Sequence, residues 1–171
     1  MRKSKRIALL TLLLTLAMTP VAALGAGAGA VVSGGGWFLF GESIPMQFGF
    51  VAVERPNGSA AGSFHHFYSS DGFDYEFWGT LTCLAYDEET GRAWIGGVLT
   101  KVASDDPDVG IAAGEDAWFR VLDSLEGDRS TSMGFVGAIE SSEAYCAMRI
   151  WPDDNARTHP VTSGQITLKV K

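Results

Sequence analysis

Cysteine, histidine and proline are scarce in this chain of 171 residues, which holds two, three and six of them respectively. Cys83 and Cys146 lie far apart, so there is no Cys-x-x-Cys element of the kind that carries dithiol chemistry or a zinc ribbon. Neither Gly-x-Ser-x-Gly nor His-Glu-x-x-His occurs, which removes the signatures of a nucleophile elbow and of a zinc peptidase. Basic charge is thin as well. Four of the 13 Lys and Arg fall within the first six positions, and from residue 31 onward nine basic residues face 20 acidic ones, a net charge of −11. Such a chain repels phosphate backbones and anionic headgroups, and its cations are scattered rather than clustered, so nucleic acid is not an expected partner. Past residue 30 no long apolar run appears, and no membrane-spanning segment is expected there.

What the chain does have, first of all, is a leader. Arg2, Lys3, Lys5 and Arg6 precede an apolar run over 7–18, about the length of a signal-peptide core and short of the roughly 20 residues that span a bilayer. Pro20 breaks any helix begun in that run. Behind it, Ala26-Gly27-Ala28 and Ala28-Gly29-Ala30 both offer the small-residue pattern that signal peptidase cuts after. The expected organisation is a signal peptide over 1–30 and a single domain over 31–171, exported to the periplasm or the medium. In an oxidising compartment two thiols within one small domain pair, so Cys83 and Cys146 are expected as a disulfide. A closed loop of that length constrains the unfolded chain by about 3–4 kcal/mol.

Glycine is abundant, with 21 residues, and aromatic and β-branched side chains punctuate short segments that show no helical period. Strands are predicted over 31–40, 46–55, 61–69, 75–86, 92–102, 117–123, 131–139 and 165–171. The segment 46–55 is the plainest, because Met46, Phe48, Phe50 and Ala52 alternate with Gln47, Gly49, Val51 and Val53. Turns are marked by Asn57-Gly58, Asp71-Gly72 and the acidic run closed by Gly91. Residues 142–150 read as a strand or a helical turn, and 151–163, with Pro152 and Pro160, as mostly loop. About eight strands in hairpin-connected order predict an all-β domain, a single antiparallel up-and-down meander closed or nearly closed into a barrel. A two-sheet sandwich is the alternative.

Gly34-Gly35-Gly36-Trp37, Cys83 on a central strand, Arg92-Ala93-Trp94-Ile95-Gly96-Gly97 on its partner, and Val121-Leu122-Asp123 with Glu126 and Asp128 together resemble the post-COAP family of bacterial exported domains. The resemblance implies an extracellular domain with no assigned activity and no catalytic residues. Separately, Gly35-x-Trp37 at the start of such a meander looks like the opening motif of lipocalins, whose barrels hold small apolar ligands; on the last strand Lys169 stands where lipocalins place an Arg.

Few residues invite chemistry. His65 and His66 are adjacent on a strand and point to opposite faces, so they cannot share a metal; one half-buried and one exposed imidazole is the simpler expectation. Asp105, Asp106 and Asp108, with Glu115 and Asp116, gather carboxylates of the kind calcium takes, but without EF-hand spacing they read as a solvated loop, as do Asp123, Glu126 and Asp128. No metal and no cofactor is assigned. Trp78 and Trp94 are the candidate ligand-binding residues. Each alternates out of phase with inward neighbours, and on adjacent strands their rings would form an outer platform for a glycan or another flat apolar ligand.

The function expected from these features is an exported, non-catalytic binding or interaction domain. A hydrolase whose carboxylates converge only in three dimensions, or a structural envelope component, are the alternatives. A deep apolar cavity favours binding, a cleft with two facing carboxylates favours hydrolysis, and a filled interior favours the structural role. N-terminal sequencing of exported material is expected to return Gly29 or Val31 as the first residue; recovery of Met1 would refute the leader.

Overall fold

The structure of the protein, a computed structural model, describes residues 29–41, 43–135 and 139–171. The expected leader, through residue 28, lies outside the described residues. Alternation at the strand period sets the sheet. In β2 (Ile44–Glu54), Met46, Phe48, Phe50 and Ala52 are buried while Gln47 and Val51 face solvent. The same logic runs through β1 (Ala30–Phe40), β3 (Ala60–Ser70), β4 (Phe73–Asp87) and β5 (Arg92–Ser104). Tight turns join them. Asp71 and Gly72 both take positive φ, 54° and 87°, as a two-residue hairpin turn between Ser70 and Phe73 requires.

Each strand from β1 to β5 pairs antiparallel with the next, and β5 pairs with β6 (Asp116–Leu122). The last long strand, β9 (His159–Val170), returns to β1. Between β6 and β9 stands only the two-residue β7 (Arg129–Ser130), which pairs with both. The meander is thereby an antiparallel barrel of eight strands, as predicted, and a short β8 (Gly134–Phe135) adds to the start of β6. Closure leaves a single interior, in which Phe38, Phe48, Phe50, Phe64, Phe77 and Phe119 are buried together.

The seam at β7 is built differently from the rest. After Val161, whose N–H donates to the Asp128 carbonyl at 2.9 Å, β9 has no strand on that side. Carboxylates take the place of a ladder: Asp128 Oδ2 accepts from the Ile166 N–H at 2.6 Å, and Asp123 Oδ2 from the Leu168 N–H at 2.8 Å. Asp128 Oδ1 also accepts from the Ser124 N–H at 3.2 Å, fixing the loop that carries it. The acidic stretch that the sequence offers as a solvated loop therefore serves the sheet.

Three sequence expectations need correction. The strand over 131–139 does not form as one piece: residues 131–133 are irregular, Gly134–Phe135 pairs with β6, and 136–138 lie outside the described residues. The segment 142–150 is helical, forming α1 (Ser142–Met148), where Ser141 Oγ accepts from the Ala144 N–H at 3.1 Å as an N-cap. Finally, β9 begins at His159 rather than 165, because pairing with β7 and β1 holds the Pro160 segment extended.

The helix lies across the outside of the barrel over β4 and β5, and the Cys83–Cys146 disulfide fastens it there with a Cα separation of 6.2 Å. Gly96 makes the approach feasible: a Cβ at that position would sit 2.7 Å from Cys83 Sγ and 2.8 Å from the Ser142 Cβ.

Replacing Asp128 by alanine strips two part-buried amides of their acceptor and is expected to cost about 1–3 kcal/mol in urea unfolding. Asp128→Asn, which keeps an acceptor oxygen, should lose less. Amide exchange at Ile166 should accelerate in Asp128→Ala while that of Phe50 stays slow; unchanged exchange at Ile166 would show that the seam does not depend on this carboxylate.

Candidate functional site: a cavity at the barrel mouth

Trp78 and Trp94 do face outward on neighbouring strands, but the pair is not a platform. Trp78 stands opposite Lys101 and Trp94 opposite Ala85, well apart along the β4–β5 ladder. Trp94 is only 4% exposed, since α1 covers it: it packs with Ala85, Trp118, Tyr145 and Cys146, and its Nε1–H donates to the Ile150 carbonyl at 2.8 Å. A covering helix is invisible to an alternation argument, which distinguishes the two faces of a strand and not what lies over them.

Trp78 belongs to a row across three strands. His65 on β3 and Lys101 on β5 are its direct cross-strand partners. The His65 ring stacks on the indole with centroids 5.0 Å apart, and Lys101 Nζ lies 4.0 Å from the indole centroid. His65 Nε2–H donates to Glu76 Oε1 at 2.8 Å. Partners on both flanking strands thus pack on the Trp78 indole, which stands on the outer surface without Trp94 beside it.

The acidic loop residues are likewise engaged locally. Asp105 Oδ1 accepts from the Asp74 N–H at 2.7 Å, Asp106 Oδ2 from the Tyr75 hydroxyl at 2.7 Å, and Asp116 Oδ1 from the Ser142 N–H at 2.8 Å. These carboxylates point to three different tasks. Among the described residues no group of three or more His, Cys, Asp or Glu side chains is placed to hold a metal ion.

The distinctive feature is inside. At the end of the barrel where the β1–β2 and β3–β4 hairpins turn, a cavity of about 270 Å³ opens, walled mainly by Phe40, Ile44, Met46, Tyr68, Met133 and Phe135. Ser70, Ser132 and His66 complete the lining. At this end the 131–133 segment, irregular between the pairings of β7 and β8 with β6, supplies Ser132 and Met133 to the cavity wall.

His66 is the site residue that the sequence reading undervalues. It is fully buried, at 0% exposure, with its ring 5.0 Å from Phe119 and 6.3 Å from both Phe48 and Phe64. Among the described residues neither Nδ1 nor Nε2 has a hydrogen-bond partner. An unpaired buried polar group costs roughly 1–3 kcal/mol. Burial, with a smaller contribution from His65, pushes its pKa down to about 3, so the imidazole is neutral. One signal in the sequence pointed here: on a strand, Phe64, His66 and Tyr68 share a face, and a histidine between two aromatics on a core face is out of place.

Comparison with family models, with curated proteins and with solved structures finds no match to this chain.

The depressed pKa of His66 has a sign that can be measured. The unfolded imidazole takes a proton near 6.5 and the folded one only near 3. Between those values the unfolded state binds more protons, so stability is full above pH 6.5 and falls as pH falls, by up to about 1.4 kcal/mol per pH unit. From pH 6.5 to 5 the wild-type protein is expected to lose about 1–2 kcal/mol more than His66→Phe in urea unfolding. Equal losses in the two proteins would mean that His66 is not held neutral by the fold.

Proposed function

We propose that this chain is an exported, non-catalytic binding protein whose barrel mouth takes a small apolar ligand. The observation that carries this reading is the cavity of about 270 Å³, with its predominantly apolar and aromatic walls at one end of a closed barrel. Binding pockets combine such walls with few polar groups, and among the described residues this lining holds no charged side chain. The glycan alternative rested on two adjacent exposed indoles, an arrangement that the burial of Trp94 removes.

Export is supported by the Cys83–Cys146 disulfide, which is of the kind retained in oxidising compartments. On this reading the first of the two cut sites suits the sheet better: Ala30 is fully buried and pairs with Val170, and the Lys171 N–H donates to the Gly29 carbonyl at 3.0 Å. Cleavage after Ala28 keeps both contacts, whereas cleavage after Ala30 removes them. No helix among the described residues is long and apolar enough to cross a membrane.

Naphthalene, a rigid apolar probe of suitable size, tests the reading. Titrated into the chain beginning at Gly29, it is expected to bind saturably at one site. Ile44→Trp, which puts a larger ring into the mouth, should weaken that binding at least about tenfold, a change of about 1.4 kcal/mol, while leaving the thermal midpoint within a few degrees. Absence of saturable binding, or undiminished binding by the filled variant, would overturn the assignment.

A further inference from the structure

The mouth cavity is apolar around most of its wall, and the wholly buried His66 borders it. The interior positions of β3 run Phe64, His66, Tyr68, and a phenylalanine at the middle position would fill the same layer with no polar atom to satisfy. Instead the imidazole sits among the rings of Phe48, Phe64 and Phe119 with both nitrogens unpartnered among the described residues. Ser70 and Ser132 line the same cavity, yet neither hydroxyl bonds the ring. An aromatic interior thus holds one unsatisfied donor and one unsatisfied acceptor, closed off by their neighbours as the cavity stands, beside a space large enough for a molecule.

Resting on the reading that this cavity takes a ligand, we propose that the ligand is a small neutral alcohol or phenol whose hydroxyl bonds the His66 imidazole as the flexible side chains of the wall, Met46 and Met133 among them, shift to admit it.

The chemistry of the lining selects that class. A neutral imidazole carries one N–H donor and one bare nitrogen acceptor, and a hydroxyl can answer either one, so recognition does not depend on which tautomer is present. A carboxylate has no use for the bare nitrogen and would bring an uncompensated charge into a lining without a cation among the described residues. An ammonium group fails in the mirror sense, as it cannot accept from the N–H. Ethers and ketones reach only the donor. Burial of His66, which holds the ring neutral, is consistent with an uncharged partner. Size follows from volume: a dry cavity of roughly 150 Å³ accommodates benzene, so about 270 Å³ suits on the order of ten non-hydrogen atoms.

Naphthalene and 2-naphthol share a skeleton and differ by the hydroxyl, which separates this proposal from the reading beneath it. Wild-type protein is expected to bind 2-naphthol at least about tenfold more tightly than naphthalene. In His66→Phe the preference should fall to within about twofold. If naphthalene binds and 2-naphthol binds no more tightly, hydroxyl recognition is wrong while the cavity remains a binding site; a preference that survives in His66→Phe assigns the hydroxyl to another group and likewise overturns the proposal. If neither probe binds, the binding reading falls and this inference falls with it. Should His66→Phe fail to fold, the imidazole nitrogen resonances of the wild-type protein decide: 2-naphthol should shift those of His66 and naphthalene should not, and an equal response to both would refute the bond.

Discussion

Everything in this molecule depends on closing the barrel at its thinnest point. A meander of five long strands presents two open edges, and an open edge both exposes backbone donors and leaves the aromatic face without a lid. Closure through β6, β7 and β9 resolves both, yet β7 contributes only Arg129 and Ser130 to the ladder. The rest is accomplished by side chains. Asp123 and Asp128 accept from alternate amides of β9, spaced as a strand would space them, and the Arg129 guanidinium donates to Thr158 Oγ1 and to the Thr158 carbonyl, both at 2.8 Å. Carboxylate acceptors make shorter and stronger bonds to backbone N–H groups than carbonyls do, which suits a place where few bonds must do the work of many. Beyond Ser130 the chain stays beside β6, through the Thr131 N–H to the Arg120 carbonyl and through β8, and its irregular stretch over 131–133 supplies Ser132 and Met133 to the cavity wall.

The outer face obeys a second constraint. Trp94, Trp118 and Ala85 project away from the core, and rings of that size on a barrel without helices would form a large exposed apolar patch. The seven-residue α1 covers them, and alone such a helix is too short to persist. It is held by an N-cap, by the stacking of Tyr145 on Trp118 with centroids 5.7 Å apart, and by the disulfide to β4. The register of β4 against β5 shifts between Leu81 and Cys83, next to the anchoring cysteine. Disulfide, shifted register and Gly96 are therefore parts of one device for seating the helix.

How much of this was legible depended on whether the information was local. Turns with positive φ are written in Asx-Gly pairs, and the face of a strand is written in its alternation, so β1 to β6 and the buried set of β2 could be read within a residue or two. The Cys83–Cys146 pair was legible from compartment and count. The helix was not, because a short apolar run such as 142–150 satisfies either period and only its N-cap, Ser141, argues for a helix. Nor was the fate of Trp94, whose outward direction was correct but whose cover comes from residues more than fifty positions away. The seam carboxylates were seen as an acidic loop because nothing local tells which amides they will meet.

The position of the cavity follows from how the interior is filled along the barrel axis. Phe50, Phe64 and Phe119 interlock edge to face at centroid distances of 5.3 and 5.9 Å, and Gly79 on the facing strand leaves room for the Phe64 ring, since a Cβ there would lie 2.0 Å from it. That layer is rigid and closed. Toward the mouth aromatic pairs continue, Tyr68 with Phe77 and Phe77 with Phe135, and Met46 and Met133 join the wall beside Ile44. Methionine has three rotatable bonds and a polarisable sulfur, so a wall built from it adjusts to an occupant where a phenylalanine layer cannot. His66 stands at the boundary between the two regimes: one side of its ring packs on Phe119, which fixes its orientation, and the ring borders the adaptable space. On the proposed reading, a fixed polar group at the edge of a deformable apolar wall gives orientation without demanding a single shape.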